Sequence, residues 1–250
     1  MEDTKLRKAL YVVATPIGNM GDITLRALEV LRKCDCVLCE DTRNSLKLFK
    51  FYEIKPKNIR IYNDMSDDSQ RNSIVNFIQN SGSVALISDA GTPLISDPGY
   101  KLLQSCRNIG IEIIPIPGSS ACITAMSVSC IGSDRFLFYG FLPSSLGRRK
   151  QELAKLLDRE ESVICYESPL RLVSTLETIA NLDSERVVCV ARELTKIFED
   201  IKTARITEIL NYYREKFTSM GAKGEIVIVI ERNNRPKKLD FNNINNILKT

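Results

Sequence analysis

The 250-residue sequence predicts an α/β protein built in two successive units. Three observations carry that expectation. Short apolar runs of strand length alternate with stretches of helical periodicity, and the pattern breaks at Pro115-Ile116-Pro117-Gly118-Ser119-Ser120-Ala121 and then restarts. A segment rich in Gly, Pro and Asp, residues 88–99, follows the apolar run Val84 to Ile87. Strands alternating with helices argue for a parallel sheet covered on both faces. The expected units are 1–117 and 118–232, with 233–250 a polar, basic tail.

Leu10 to Ala14 is the first expected strand, followed by the turn Thr15-Pro16-Ile17-Gly18-Asn19. Asp22 then caps a helix with Leu25, Leu28 and Leu31 on one face. The turn lacks the three glycines of the dinucleotide fingerprint, so a Rossmann nucleotide site is not supported there. Cys36 to Cys39 forms a strand that ends in Glu40-Asp41-Thr42-Arg43, and a helix runs from Arg43 to Phe49. Ile59 to Tyr62 is a strand and Asn63 to Asp68 an acidic loop. Ser69 caps a helix bearing Ile74, Val75, Phe77 and Ile78 at helical spacing. Strand 84–88, the Gly/Pro/Asp loop, a helix from Pro98 to Ile109 closed by Gly110, and strand Ile111 to Ile114 complete the first unit.

After the break, Ser119 is placed to cap the next helix, and the small residues beside it allow a ligand to approach that helix start closely. Strands Phe136 to Tyr139, Val163 to Tyr166, Val187 to Ala191 and Glu225 to Ile230 alternate with helices Gly147 to Leu157, Pro169 to Ala180 and Thr207 to Phe217. Ser168 caps the second of these helices, and the tail from Asn233 reads as loose.

In open α/β sheets ligands sit outside the carboxyl ends of strands. The loop 88–99, with its backbone N–H groups, Asp89 and Thr92, therefore suits a cradle for a polar small molecule. An ordinary strand-to-helix turn uses the same residue types, and spacing alone does not separate the two readings.

Composition narrows the chemistry. With 44% apolar and 26% charged residues the chain is ordinary globular material. No apolar run approaches the roughly 18 residues of a membrane span, and Met1 to Lys8 is polar rather than signal-like, so the expected location is the cytoplasm. Cys34, Cys36 and Cys39 invite a zinc reading, but the chain has no His, and the other five of its eight Cys are scattered, several within apolar runs. Buried thiols are the stronger expectation, and no metal is expected. The absence of His also excludes Ser-His-Asp and Cys-His mechanisms. A net charge of +4 permits a nucleic-acid partner without requiring one.

Six motifs in register sharpen the reading: Thr15-Pro16-Ile17-Gly18-Asn19; Glu40-Asp41-Thr42-Arg43; Ser88-Asp89-Ala90-Gly91-Thr92-Pro93 with Ser96-Asp97-Pro98-Gly99; Pro117-Gly118-Ser119-Ser120-Ala121; Glu167-Ser168-Pro169-Leu170-Arg171; and Ala191-Arg192-Glu193-Leu194-Thr195-Lys196. Over residues 10–231 the chain resembles the small-subunit (16S) ribosomal RNA (cytidine-2'-O)-methyltransferases, a branch of the tetrapyrrole methylase superfamily. The resemblance implies two α/β domains, a mainly parallel first sheet and a mixed second one, and S-adenosylmethionine bound in the cleft between them. It implies a homodimer as well. It places Asp89, Ala90, Gly91 and Thr92 along the methionine and ribose part of the cofactor, with Ile17 nearby and Ser119, Ser120 and Ala121 opposite. Tyr166 and Gly224 would close the pocket from the second domain. The chain departs from the family at Tyr62-Asn63-Asp64-Met65, where His and Asn are common, at Leu170, where His is usual, and at Ser119, where Pro is usual.

Methyl transfer from a sulfonium is an in-line displacement for which alignment alone supplies several kcal/mol. A ribose 2'-OH is a weak acid, so a base or cation nearby would help. The candidates are Glu40, Asp41, Glu193 and Lys196. The competing reading makes Glu40, Asp41, Arg43, Arg192 and Glu193 interdomain ion pairs. Arg43, Arg171, Arg192 and Lys196 are the expected RNA phosphate contacts, and Arg148-Arg149-Lys150 either extends that patch or is a solvated helix start. Two other functions stay open at this point: a methylase of a small tetrapyrrole-like acceptor, and an inactive ribosome-associated RNA-binding module.

Overall fold

The computed structural model describes residues 5–80 and 82–233. The expected loose tail therefore lies, beyond Asn233, outside the described residues. In the first half β1 (Leu10–Val13), β2 (Cys36–Cys39), β3 (Ile59–Ile61), β4 (Val84–Leu86) and β5 (Ile113–Ile116) form one five-stranded sheet in the order β3-β2-β4-β1-β5. Every pairing in it is parallel. Side chains alternate between its faces, as the pleat requires. Tyr11, Val13, Val37, Cys39 and Ala85 pack against α1 (Leu25–Lys33) and α2 (Thr42–Phe51). Leu10, Cys36, Leu38, Val84 and Leu86 pack against α3 (Asp68–Asn80) and α4 (Tyr100–Asn108). The same alternation puts Cys36 in a different core from Cys34 and Cys39, and seven of the eight thiols are buried.

The strand order fixes where a ligand fits. The chain leaving β1 turns to α1 on one face, and the chain leaving β4 turns to α4 on the other, yet β1 and β4 are neighbours. Their carboxyl ends diverge, and the crevice between diverging connections is the ordinary ligand position of a doubly wound sheet.

The second half contains β6 (Phe136–Phe141), β7 (Ser162–Glu167), β8 (Val187–Arg192), β9 (Asp200–Arg205) and β10 (Ile226–Ile230) in the order β6-β7-β10-β8-β9. Only β6 and β7 run parallel, so this sheet is mixed. Helices α6 (Leu146–Leu157), α7 (Pro169–Leu182) and α8 (Ile206–Met220) cover one face. The other face packs against α5 (Ala121–Val128) and receives Ile17 from the first half. Among the described residues no helix is long and apolar enough to cross a membrane.

Several expected boundaries move, each for a local reason. Asp22 is not a helix cap: it ends a short 3-10 turn, and Thr24 caps α1 by accepting the Ala27 N–H at 3.1 Å. Leu25 in consequence lies 86% exposed, while Leu28 and Leu31 are buried. Asp67 rather than Ser69 serves α3, accepting the Gln70 N–H at 2.8 Å. Ser119 does not cap α5, because its hydroxyl donates to the Asp22 carbonyl and Ser120 occupies the cap position. β5 begins later than expected and includes Pro115, which an edge strand tolerates because its outer N–H needs no partner.

Candidate active site

The loop after β4 is folded back onto the turn after β1. Gly91 and Thr15 exchange two backbone hydrogen bonds of 2.8 and 3.1 Å, and the Thr92 hydroxyl donates to the Ser119 carbonyl at 3.0 Å. Gly91 (φ +80°), Leu94 (φ +73°) and Ser96 (φ +68°) all adopt left-handed backbone. For Leu and Ser that conformation costs on the order of 1–3 kcal/mol and persists only where the surroundings impose it. A Cβ on Gly91 would stand 3.2 Å from the Ile17 side chain.

Facing this loop, the second sheet contributes Tyr166, Ala191 and Val227 together with the backbone at Gly224. Gly224 has φ +107°, and a Cβ there would meet the Glu193 side chain at 2.8 Å, so glycine is needed for close passage. Between the two halves lies a cavity of about 370 Å³, mostly apolar, within the size range of small-molecule sites. Ile17, Ala90, Gly91, Thr92, Ser120, Ala121, Tyr166 and Gly224 are all in its wall. Asp89 and Ser119 are not. The Asp89 carboxylate points to α2, accepting from the Asp41 N–H and the Asn44 amide, and Ser119 meets the site through its carbonyl.

The sequence reading missed Asp97, Phe141, Glu167, Leu194 and Glu225, which also line the cavity. Asp97, Glu167 and Leu194 stand in motifs already singled out, so their positions were usable signals; Phe141 and Glu225 come from a strand end and a turn whose direction is set by tertiary packing. Burial raises the Asp97 carboxyl above the ordinary range; a Ser88 hydrogen bond opposes this, and Asp89 and Asp64 reinforce it. Glu40 is raised likewise, by burial first and then by Asp89, Asp97, Asp64 and Asp41. Five carboxylates thus crowd the carboxyl edge of the first sheet, Asp97 among them in the wall, an environment that favours a cation. The Tyr166 phenol is pushed up by burial and by Cys122, so it stays neutral and offers a hydrogen-bonding hydroxyl and a ring surface rather than a phenolate base.

None of the expected catalytic groups, Glu40, Asp41, Glu193 and Lys196, is in the cavity wall, and the last three are held in local ion pairs. Lys196 Nζ lies 2.9 Å from Glu193 Oε1 and 3.0 Å from Glu225 Oε2, and Glu193 also accepts the Glu225 N–H at 2.9 Å. Burial works against the charge on both, but these partners outweigh it: Glu193 is held below the usual range and Lys196 above it. Asp41 caps α2 and pairs with Arg43. These pairs lie within one half of the chain, not between the halves.

The basic residues divide by exposure. Arg43 is open to solvent apart from its Asp41 partner, and Arg171 reaches Glu167 at 2.6 Å while remaining partly exposed. Arg192 is 5% exposed, its guanidinium donating to the Lys223 and Phe198 carbonyls, and this burial takes it out of reach of RNA phosphate. Arg149 is also buried, on the Pro143 and Ser144 carbonyls and the Ser174 hydroxyl, whereas Arg148 and Lys150 are exposed.

Residues 9–210 match the family described as Tetrapyrrole (Corrin/Porphyrin) Methylases. The chain is 46% identical over 228 residues to "Ribosomal RNA small subunit methyltransferase I" of Rickettsia prowazekii, covering 91% of this chain and 80% of that one. It is 43% identical to the protein of that name from Haemophilus influenzae, with the same coverage. Among solved structures, a cobalt precorrin-4 methyltransferase shares the fold with a TM-score of 0.63 at 16% identity, covering 90% of this chain and 95% of that one. A diphthine synthase does so with a TM-score of 0.64 at 13% identity, covering 89% and 90%.

Proposed function

Because the chain belongs to the tetrapyrrole methylase family, we propose that it transfers a methyl group from S-adenosylmethionine to the 2'-oxygen of a cytidine in small-subunit ribosomal RNA. The observation that carries this reading is the near full-length kinship to rRNA methyltransferases, joined to a cavity at the switch point of the first sheet. The neighbours named for corrinoid or porphyrin chemistry are far more distant, so a tetrapyrrole acceptor is the weaker reading. We propose further that residues 1–117 and 118–232 act as the two halves of the site, in a cytoplasmic homodimer.

The residues present suit the cofactor. Its elongated shape needs a narrow passage, which Gly91 and Gly224 keep free of side chains, and its sulfonium and ammonium charges suit a wall containing Asp97. Ala90, Gly91 and Thr92 would hold it from the first half, with Ser120 and Ala121 across the gap and Tyr166 and Val227 beneath. When bound, it supplies an electrophilic methyl group on sulfur. The 2'-oxygen forms the new C–O bond as the C–S bond breaks, and the hydroxyl proton departs.

No group in the wall is a strong base. Tyr166 is neutral, and Glu167 already accepts from the Ser168 N–H, Arg171 and Thr175. Catalysis in this account is chiefly alignment, with the 2'-OH proton passing to solvent or to a weakly basic carboxylate. Glu193, Lys196 and Glu225 brace the turn that carries Gly224. The test is methylation of small subunits lacking the modification, with radiolabelled cofactor. Label in a 2'-O-methylcytidine supports the reading, and subunits left unlabelled by the active-cofactor mixture sink it.

A further inference from the structure

Strands β6 and β7 pair Phe138 with Ile164, Gly140 with Cys165 and Phe141 with Tyr166. Tyr139 is therefore an extra residue, a bulge in a parallel pair, where bulges are rare. Its effect is a change of face. Along a regular strand Phe138 and Phe141, three residues apart, point to opposite sides of the sheet. The bulge returns Phe141 to the side of Phe138, so that both rings pack on Tyr166 with centroids 5.5 and 5.0 Å away. Cys165, opposite Gly140, belongs to the core beneath α6, α7 and α8. Gly140 permits the turn with φ +80°, and a Cβ there would stand 3.3 Å from the Ser96 hydroxyl. With the same residues in regular alternation and no bulge, Phe141 would point into the helix-covered side.

The bulge thus delivers an aromatic ring to the cavity wall and leaves it 58% exposed. A large apolar side chain held open at the mouth of a site, and already ordered by Tyr166, is suited to a flat ligand surface. Resting on the function proposed above, we infer that Phe141 is the stacking platform for the base of the acceptor nucleotide, and so a substrate-positioning residue. A ribose reaches a cavity inside the fold only if its nucleotide leaves the RNA stack, and splayed bases recover stacking on aromatic side chains. Ordering of Phe141 before RNA arrives lowers the entropic cost of that contact. Pro169 in the wall and the exposed Leu170 beside it extend the apolar rim.

Four substitutions test this: Phe141→Tyr and Phe141→Trp keep an aromatic face, Phe141→Leu keeps apolar bulk, and Phe141→Ala removes both. The measurements are kcat/KM for unmethylated small subunits and calorimetric affinity for S-adenosylmethionine without RNA, which also reports an intact cavity. The Leu and Ala variants should lose about 5- to 150-fold in kcat/KM, the stacking range, with unchanged cofactor affinity. The Tyr and Trp variants should stay near wild type. Equal activity of the Leu and Tyr variants overturns the platform, and a parallel loss of cofactor affinity assigns the ring to the cofactor instead. A wild-type protein that leaves small-subunit RNA unmethylated overturns the proposed function, and the platform with it.

Discussion

Gly91 shows how one residue's backbone shapes the cavity. Its left-handed φ and the Ile17 side chain 3.2 Å from an added Cβ leave no room for a branched residue. Gly91→Val should abolish cofactor binding by calorimetry while the protein remains folded; unchanged affinity in a folded variant would move the cradle elsewhere. Asp97 gives a pH-dependent prediction. Its carboxyl is raised by burial and like charge, so it loses charge at higher pH than an ordinary carboxylate, and a cationic ligand binds the charged form. Affinity for S-adenosylmethionine should therefore rise from mildly acid to neutral pH in the wild type and be weaker and flatter in Asp97→Asn. A pH profile identical in both proteins would remove Asp97 from the account. The turns at 88–99 and 118–121 were legible in the sequence because such turns advertise themselves by composition, whereas Ile17, Tyr166 and Gly224, also in the wall, were reached only through the family resemblance. Phe141 was not legible, since a bulge leaves no mark in the hydrophobic pattern, and Arg192 looked like a phosphate contact because burial of a charge cannot be read from its identity.

At the scale of elements, Asp35 ties three strands together. Its carboxylate accepts the Ser83 N–H and hydroxyl, each at 2.9 Å, and Lys57 Nζ at 2.8 Å, joining the starts of β2 and β4 to the segment before β3. Burial works against the charge, but Lys57 and Ser83 prevail and bring the pKa down to about 2. A depressed carboxylate contributes stability above its unfolded value, about 3.9, and loses it as pH falls through its folded value. Asp35→Asn should thus be destabilised at pH 6 in urea titrations, and the gap should close as pH drops toward 2; a constant gap would show that charge is not the cause. The ion-paired Glu193 and Lys196 give a further test. In Glu193→Gln and Lys196→Met the turn at Gly224 loosens, so cofactor affinity should fall more than the single-turnover rate at saturation. A loss of about 10²-fold or more in that rate with affinity intact would instead mark a general base. The nine strands with apolar runs were legible by length and alternation. β9 was missed: Asp200 to Arg205 is a half-buried edge strand whose charged residues carry no apolar run, held by Asp200 accepting from Tyr212, Tyr213 and Lys216.

For the whole molecule, a net charge of +4 and an acidic rim around the cavity are poorly matched to indiscriminate binding of free RNA. Recognition of an assembled small subunit, with Arg43 and Arg171 among the phosphate contacts, fits better. Methyl transfer to the subunit should accordingly fall steeply with added salt, while cofactor affinity changes little. The parallel first sheet and the alternation after residue 118 were readable from sequence, but the crevice arises from strand order, a long-range property that no local pattern encodes. The central claim, that this crevice serves ribose methylation, is tested most directly by mapping methyl groups on small-subunit rRNA from cells with and without the gene. The account predicts one cytidine whose 2'-O-methyl group is absent without the gene and is restored by the purified protein with S-adenosylmethionine. Identical 2'-O-methylation maps in the two strains would contradict it.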